Sequence, residues 1–165
     1  MSEPLLPVPL SSPELLGLYR YWESRRGERR MPARADIDPL CFKPLIGRIS
    51  VIDVLREPAG NFRFRFRLAA TPFCITVGRE MTGKMLEDLP LPETRAFLEA
   101  NYLKVARTGC PLALSGAIRL DGHDWKGESL ILPLSTEEDS VQRLLAAREV
   151  SLLRGGRFVP VAPLP

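Results

Sequence analysis

His123 is the only imidazole in the chain, and the residues around it, Asp121-Gly-His-Asp124, are turn formers. No nucleophile-elbow spacing supplies it with a serine, so hydrolysis by a Ser/His/Asp set has no foothold. The three cysteines, Cys41, Cys74 and Cys110, form no Cys-x-x-Cys pair and no Cys/His cluster. Neither a zinc site nor a disulfide framework is expected from them, and a reducing compartment fits. Glu137-Glu-Asp139 has the composition of a solvated turn rather than of an acid/base couple. Gly78-Arg-Glu-Met-Thr-Gly83 runs into Lys84, but the full P-loop pattern, which ends in Ser or Thr, is not met. Its backbone N–H groups either face an anion or belong to a loop ordered by Arg79 and Thr82. No catalytic residues and no metal ligands are assigned, and an enzyme is not expected.

Recognition chemistry has more material. Asn61-Phe-Arg-Phe-Arg-Phe-Arg-Leu-Ala69 alternates apolar and charged residues without a miss. That period of two predicts a half-buried β-strand, with Phe62, Phe64, Phe66 and Leu68 on one face and Arg63, Arg65 and Arg67 on the other. The arginines read as a solvated face, and the alternative for Arg67 is contact with an anionic ligand or a loop carboxylate such as Glu80. A basic run carries six arginines between Arg20 and Arg34 against Glu23 and Glu28 alone. Such a run can neutralise phosphates. It lacks interleaved aromatics and a helix-turn-helix, so a solvated linker or a surface for an acidic protein is preferred to nucleic acid.

These residues need elements to position them. With 165 residues the chain is long enough for one domain with a core. A net charge of +3 demands neither a nucleic-acid nor a membrane partner. Residues 1–11 are Pro-rich and read as a flexible leader. No apolar run approaches the roughly 20 residues of a spanning helix, so a soluble, cytoplasmic protein without membrane contact is expected. Ser12 caps a first helix running to about Arg26, whose apolar stripe is Leu15, Leu18, Tyr19 and Trp22. A short helix over Pro39 to Ile46, a strand over Arg48 to Leu55 and a turn at Glu57-Pro-Ala-Gly60 lead into the Phe/Arg strand. A short helix over Pro72 to Val77, a long one over Glu93 to Thr108, and strands over Leu112 to Leu120 and Gly127 to Leu134 follow. Val141 to Val150 reads as helix by propensity and as strand by sheet completion. Residues 151–165 read as a C-terminal tail.

This order resembles a PAS fold with an extra N-terminal helix. More specifically, residues 15–150 resemble a compact bacterial single-domain PAS-like family, the PAS_5 type, seen mainly in alphaproteobacteria. The likeness rests on Tyr21-Trp22, Pro32-Ala-Arg-Ala-Asp-Ile-Asp-Pro39, Phe64-Arg-Phe-Arg-Leu68, Gly78-Arg-Glu-Met-Thr-Gly83 and Leu130-Ile-Leu-Pro-Leu134. The chain departs from the family at Ala70-Thr-Pro72, where a Gly-Thr pair is common. The resemblance implies an α+β domain over residues 12–150: a five-stranded antiparallel sheet with flanking helices. It further implies a sensory or signalling module that binds a small ligand or a partner protein. A ligand pocket would be lined by Phe64, Phe66, Phe73 and Tyr102, with Arg67 and Arg79 as polar contacts. A second reading is a protein-interaction or homodimerising adaptor with a filled core, using Tyr19 and Trp22. No cofactor is assigned: His123 is not on the long helix where haem would need it, and Cys74 lacks a flavin photosensor's surrounding motif.

Overall fold

The computed structural model describes residues 10–154 and 157–160. Its first helix, α1 (Pro13–Arg26), begins where a side chain can replace the missing turn: Ser12 Oγ accepts the Leu15 N–H at 3.2 Å. Gly27, at φ 59°, ends it. Two short 3-10 segments, Arg34–Asp36 and Pro39–Leu45, carry the chain to β1 (Ile49–Arg56). The turn Glu57–Gly60 closes with Gly60 N–H on Glu57 O, and β2 (Phe62–Leu68) returns antiparallel. Then come α2 (Thr71–Val77), a 3-10 turn at Leu86–Asp88, and α3 (Pro92–Thr108). β3 (Leu112–Leu120), β4 (His123–Leu134), β5 (Arg143–Arg154) and β6 (Arg157–Pro160) complete the chain.

The main sheet is antiparallel in the order β2-β1-β5-β4-β3, the α+β arrangement expected. β5 settles the ambiguous segment as strand. Its register puts Leu144 and Ala146 opposite Ile52 and Ser50 of β1, so the sheet centre overrides the helical propensity of Leu144-Leu-Ala-Ala147. Of the expected tail, residues 155–156 and 161–165 lie outside the described residues, and the described part is strand. β5 continues to Arg154, and β6 pairs with it over Ser151–Arg154, adding a short sixth strand on the side where β1 has stopped. Of the leader, residues 1–9 lie outside the described residues. Leu10 packs on the core, and the N–H groups of Ser11 and Ser12 both donate to Glu128.

The alternation of β2 holds for Phe64 and Phe66, both buried, and fails at its end. Register passes from Ile52↔Phe66 to Val51↔Leu68, so a β-bulge places Arg67 and Leu68 together opposite one residue. Leu68 is thereby turned out and is 50% exposed. The free edge of β2 is covered by the end of the glycine loop: Phe66 N–H donates to Lys84 O, and Gly83 N–H to Phe66 O.

Helices cover both faces. Leu130 and Leu132 of β4 point toward α1, and Ile131 points toward α3 by strand alternation. Trp22 is wholly buried, and its Nε1–H donates to Pro133 O at 2.9 Å, just beyond Ile131, where β3 stops covering β4. The β3–β4 turn is tighter than expected. His123 and Asp124 belong to β4, and only Asp121 (φ 49°) and Gly122 (φ 78°) turn the chain.

Candidate functional site

A cavity of about 280 Å³ lies between the inner face of the sheet and helices α2 and α3. That is near the lower end of the usual range for small-molecule sites, roughly 300–1,000 Å³. The helices contribute Phe73, Val77, Phe97, Leu98 and Asn101. The sheet contributes Ser50, Ile131, Arg148, Trp125 and a directly paired Gly116 and Gly127. Gly116 leaves this part of the wall without a side chain, and Gly127 lets β4 lie close against β5. A Cβ at Gly116 would meet nothing within 4 Å, whereas one at Gly127 would fall 2.2 Å from Glu149 O on the neighbouring strand.

At the Thr94 end of the cavity the β3–β4 turn is tied to the start of α3. Helix α3 starts at Leu91, which has no capping side chain. Asp121 supplies the cap from 28 positions away: its carboxylate accepts the N–H of Glu93 and Thr94 and the Thr94 hydroxyl, the latter two at 2.8 and 2.7 Å. Glu93 returns the contact by accepting the Asp121 N–H. Desolvation pushes the Asp121 carboxyl up, but these hydrogen bonds outweigh it and hold it below its ordinary value.

The start of α2 is secured in the same non-local way. Ala70 cannot cap, and its buried N–H donates to Ser50 Oγ at 2.9 Å.

Arg148 is the charged group of the cavity that matters. It stands on the inner face of β5, opposite Ser129, with its guanidinium carbon 5.2 Å from the Phe73 ring centroid. Among the described residues no carboxylate pairs with it. Arg48, also on the wall, is already spent on Glu149 at 2.7 Å. Behind Arg148 the Tyr102 hydroxyl is buried, and Arg148 is the polar group that faces it. Burial pushes that phenol up, and the Arg148 charge pulls it back.

The residues expected to form the pocket are divided by the structure. Phe73 lines it. Phe64, Phe66 and Tyr102 are packed core beside it, with Phe64 edge-on to Tyr102 and Phe66 against Phe73. Arg67 is not at the cavity: the strand's other face carries it to Asp53, not to Glu80. Glu80 instead accepts the Thr82 N–H, the main cause holding its carboxyl low. Arg79 is outside as well and reaches Asp88 O at 3.3 Å. Thr82 orders the loop by accepting the Ala69 N–H, and the loop's Gly78, Arg79, Thr82 and Gly83 N–H groups all donate within the protein. Tyr19 and Trp22 are buried against the sheet, which leaves them no surface for a partner. Cys74 is buried, and that burial pushes its thiol up.

The basic run is largely consumed at home. Arg25 and Arg29 hold Asp36 through its carbonyl and carboxylate, Arg30 binds Thr108 O, and Arg34 binds Ile37 O. The Ala33 N–H, then Arg29, keeps the Asp36 carboxyl below its usual range.

The sequence reading missed Arg148, Gly116 and Gly127. Glycines inside two paired strands mark a close approach or a missing side chain. Leu144, Ala146 and Arg148 share a face only once the segment is read as strand.

A sheet with helices enclosing a cavity on one face, and an N-terminal helix on the other, agrees with the family comparison. Residues 10–148 match the profile of a PAS domain family, PAS_5. The chain belongs to the PAS_5 family of PAS domains. In general terms this PAS domain is therefore a sensory or signalling module, a class that is typically not catalytic. No curated protein and no solved structure matches it. Among the described residues no helix is long and apolar enough to cross a membrane.

Proposed function

We propose that this PAS domain is a cytosolic sensor for a small amphipathic anion, held with its apolar body between α2, α3 and the glycine hollow and its charge on Arg148. The observation that carries this reading is a guanidinium without a carboxylate partner inside a largely apolar cavity. A partly buried cation is stabilised by a partner, and a planar fork suits a ligand carboxylate.

Octanoate and octanol, alike in chain and different in charge, make the test by isothermal calorimetry. A charge-assisted hydrogen bond contributes about 1.5–3 kcal/mol, so Arg148→Met should weaken octanoate roughly 10- to 150-fold. Octanol should be little affected. Equal losses for both probes would mean that Arg148 shapes the cavity and does not read charge. Native mass spectrometry of the purified protein then gives the mass of any retained ligand.

A further inference from the structure

The outer face of the sheet holds a second polar construction that the cavity does not use. Asp53, in the middle of β1, is buried, and its cross-strand neighbours are Arg65 on β2 and Arg143 on β5. Arg67 reaches it diagonally from the bulge. Arg65 binds Oδ2 through Nη2 and Nε at 3.0 and 3.3 Å. Arg67 Nε stands 3.0 Å from Oδ1, and Arg143 Nε 3.3 Å from the same oxygen. Three cations on one anion leave a net charge of +2.

The geometry of those contacts matters more than their number. Arg67 and Arg143 are tethered through Nε, so their terminal Nη groups are oriented without being used. The side chains of Arg65, Arg67 and Arg143 are 43%, 50% and 30% exposed. They line an open groove of about 570 Å³ against the linker, with Arg34 on its far wall and Asp53 as the lone carboxylate of its lining. Ser135 and Thr136 also line it, their hydroxyls already held by the Glu137 N–H and by Gln142 Oε1. A buried carboxylate is thus acting as a fixed anchor that presents guanidinium forks to solvent.

We propose that this groove binds a phosphate monoester. Its charge near neutral pH, about −1.5 to −2, offsets most of the positive excess that four arginines and Asp53 leave in this groove, and its terminal oxygens suit paired Nη donors. A phosphodiester carries one charge per group and leaves the excess uncompensated. The phosphate arrives either free on a small molecule or on a side chain, and the two sources share this chemistry.

Titrations of the full chain with inorganic phosphate and with a phosphoserine tripeptide, followed by amide chemical shifts, make the test. Saturable shifts at Asp53, Arg65, Arg67 and Arg143 are expected. Arg67→Gln and Arg143→Gln should each weaken binding by roughly tenfold, about 1.4 kcal/mol, while Arg148→Met should leave it unchanged. That last variant separates this site from the cavity. Tighter binding of the tripeptide would assign the phosphate to a partner's side chain, and equal binding to a small molecule. Absence of saturable shifts at 10-millimolar-order phosphate (~10 mM, against a Kd near 1 mM for about 4 kcal/mol) would overturn the proposal. So would affinity unchanged in both Gln variants, or equal binding of a single-stranded oligonucleotide.

Discussion

Gly127→Ala should be among the most damaging single-methyl additions to this sheet. Its Cβ would lie 2.2 Å from Glu149 O and 2.7 Å from Val150 Cα, both backbone atoms of β5. Backbone of a central strand cannot rotate aside as a side-chain tip can. Overpacking of this kind costs about 1–3 kcal/mol, and a non-glycine residue at φ 151° adds strain of about 1–3 kcal/mol. The sum is roughly 2–6 kcal/mol, a large share of the roughly 5–15 kcal/mol that holds a domain folded. At about 4 kcal/mol, Tm should fall by roughly 8–16 °C for a chain of this size. Gly116→Ala is the built-in control. It lies directly across the ladder at φ 135°, but its Cβ meets nothing within 4 Å, so only the strain applies. Urea melts of both variants measure the difference. If Gly127→Ala lies within about 1 kcal/mol of Gly116→Ala, the clash has been relieved by a shift of β5, and the close-approach argument is wrong.

Asp53 should give the protein an acid-sensitive component. Burial raises this carboxyl, but the hydrogen bonds from Arg67 and Arg65 and the charges of Arg67 and Arg143 outweigh it, so the folded value lies below the ordinary one. A depressed carboxyl contributes stability above its unfolded value, near 4, and loses it as pH falls on through the folded value. Asp53→Asn should therefore be less stable at pH 7 and show a shallower loss below pH 4 in denaturant melts; parallel pH curves would refute the assignment. Trp22→Phe leaves Pro133 O without its donor and should cost about 1–3 kcal/mol before any cavity penalty, read from chemical denaturation. Asp121→Ala should lower Tm and weaken octanoate binding together, because the carboxylate that caps α3 also holds Thr94 on the cavity wall; a change in only one of the two would uncouple those roles.

Much of the scaffold was legible because its signals are local. The capping of α1 by Ser12, the stripe Leu15, Leu18, Tyr19 and Trp22, and the turn at Glu57–Gly60 each rest on residues adjacent in sequence or one helical turn apart. The strand nature of β5 was not local. Its alanines and leucines are strands because β1 and β4 flank them, a condition no window of ten residues contains. The site suffered from the same limit. Phe64 and Phe66 had the correct face but were core, since which part of an inner face stays unfilled depends on the helices above it. Arg67 had the correct outward direction, and its partner Asp53 lay on another strand at a register that the bulge alters. Leu68 was misread for one reason, an extra residue that shifts the period of two.

The capping of α3 by Asp121 has a consequence for how this molecule opens. An ordinary helix start frays by itself, because its cap is the preceding residue. Here the first turn of α3 and the tip of the β3–β4 hairpin hold each other's backbone groups, in both directions. Neither should unravel without the other. Amide hydrogen exchange at Glu93, Thr94 and Asp121 should then proceed with a single opening free energy, one cooperative unit made of two segments far apart in the chain.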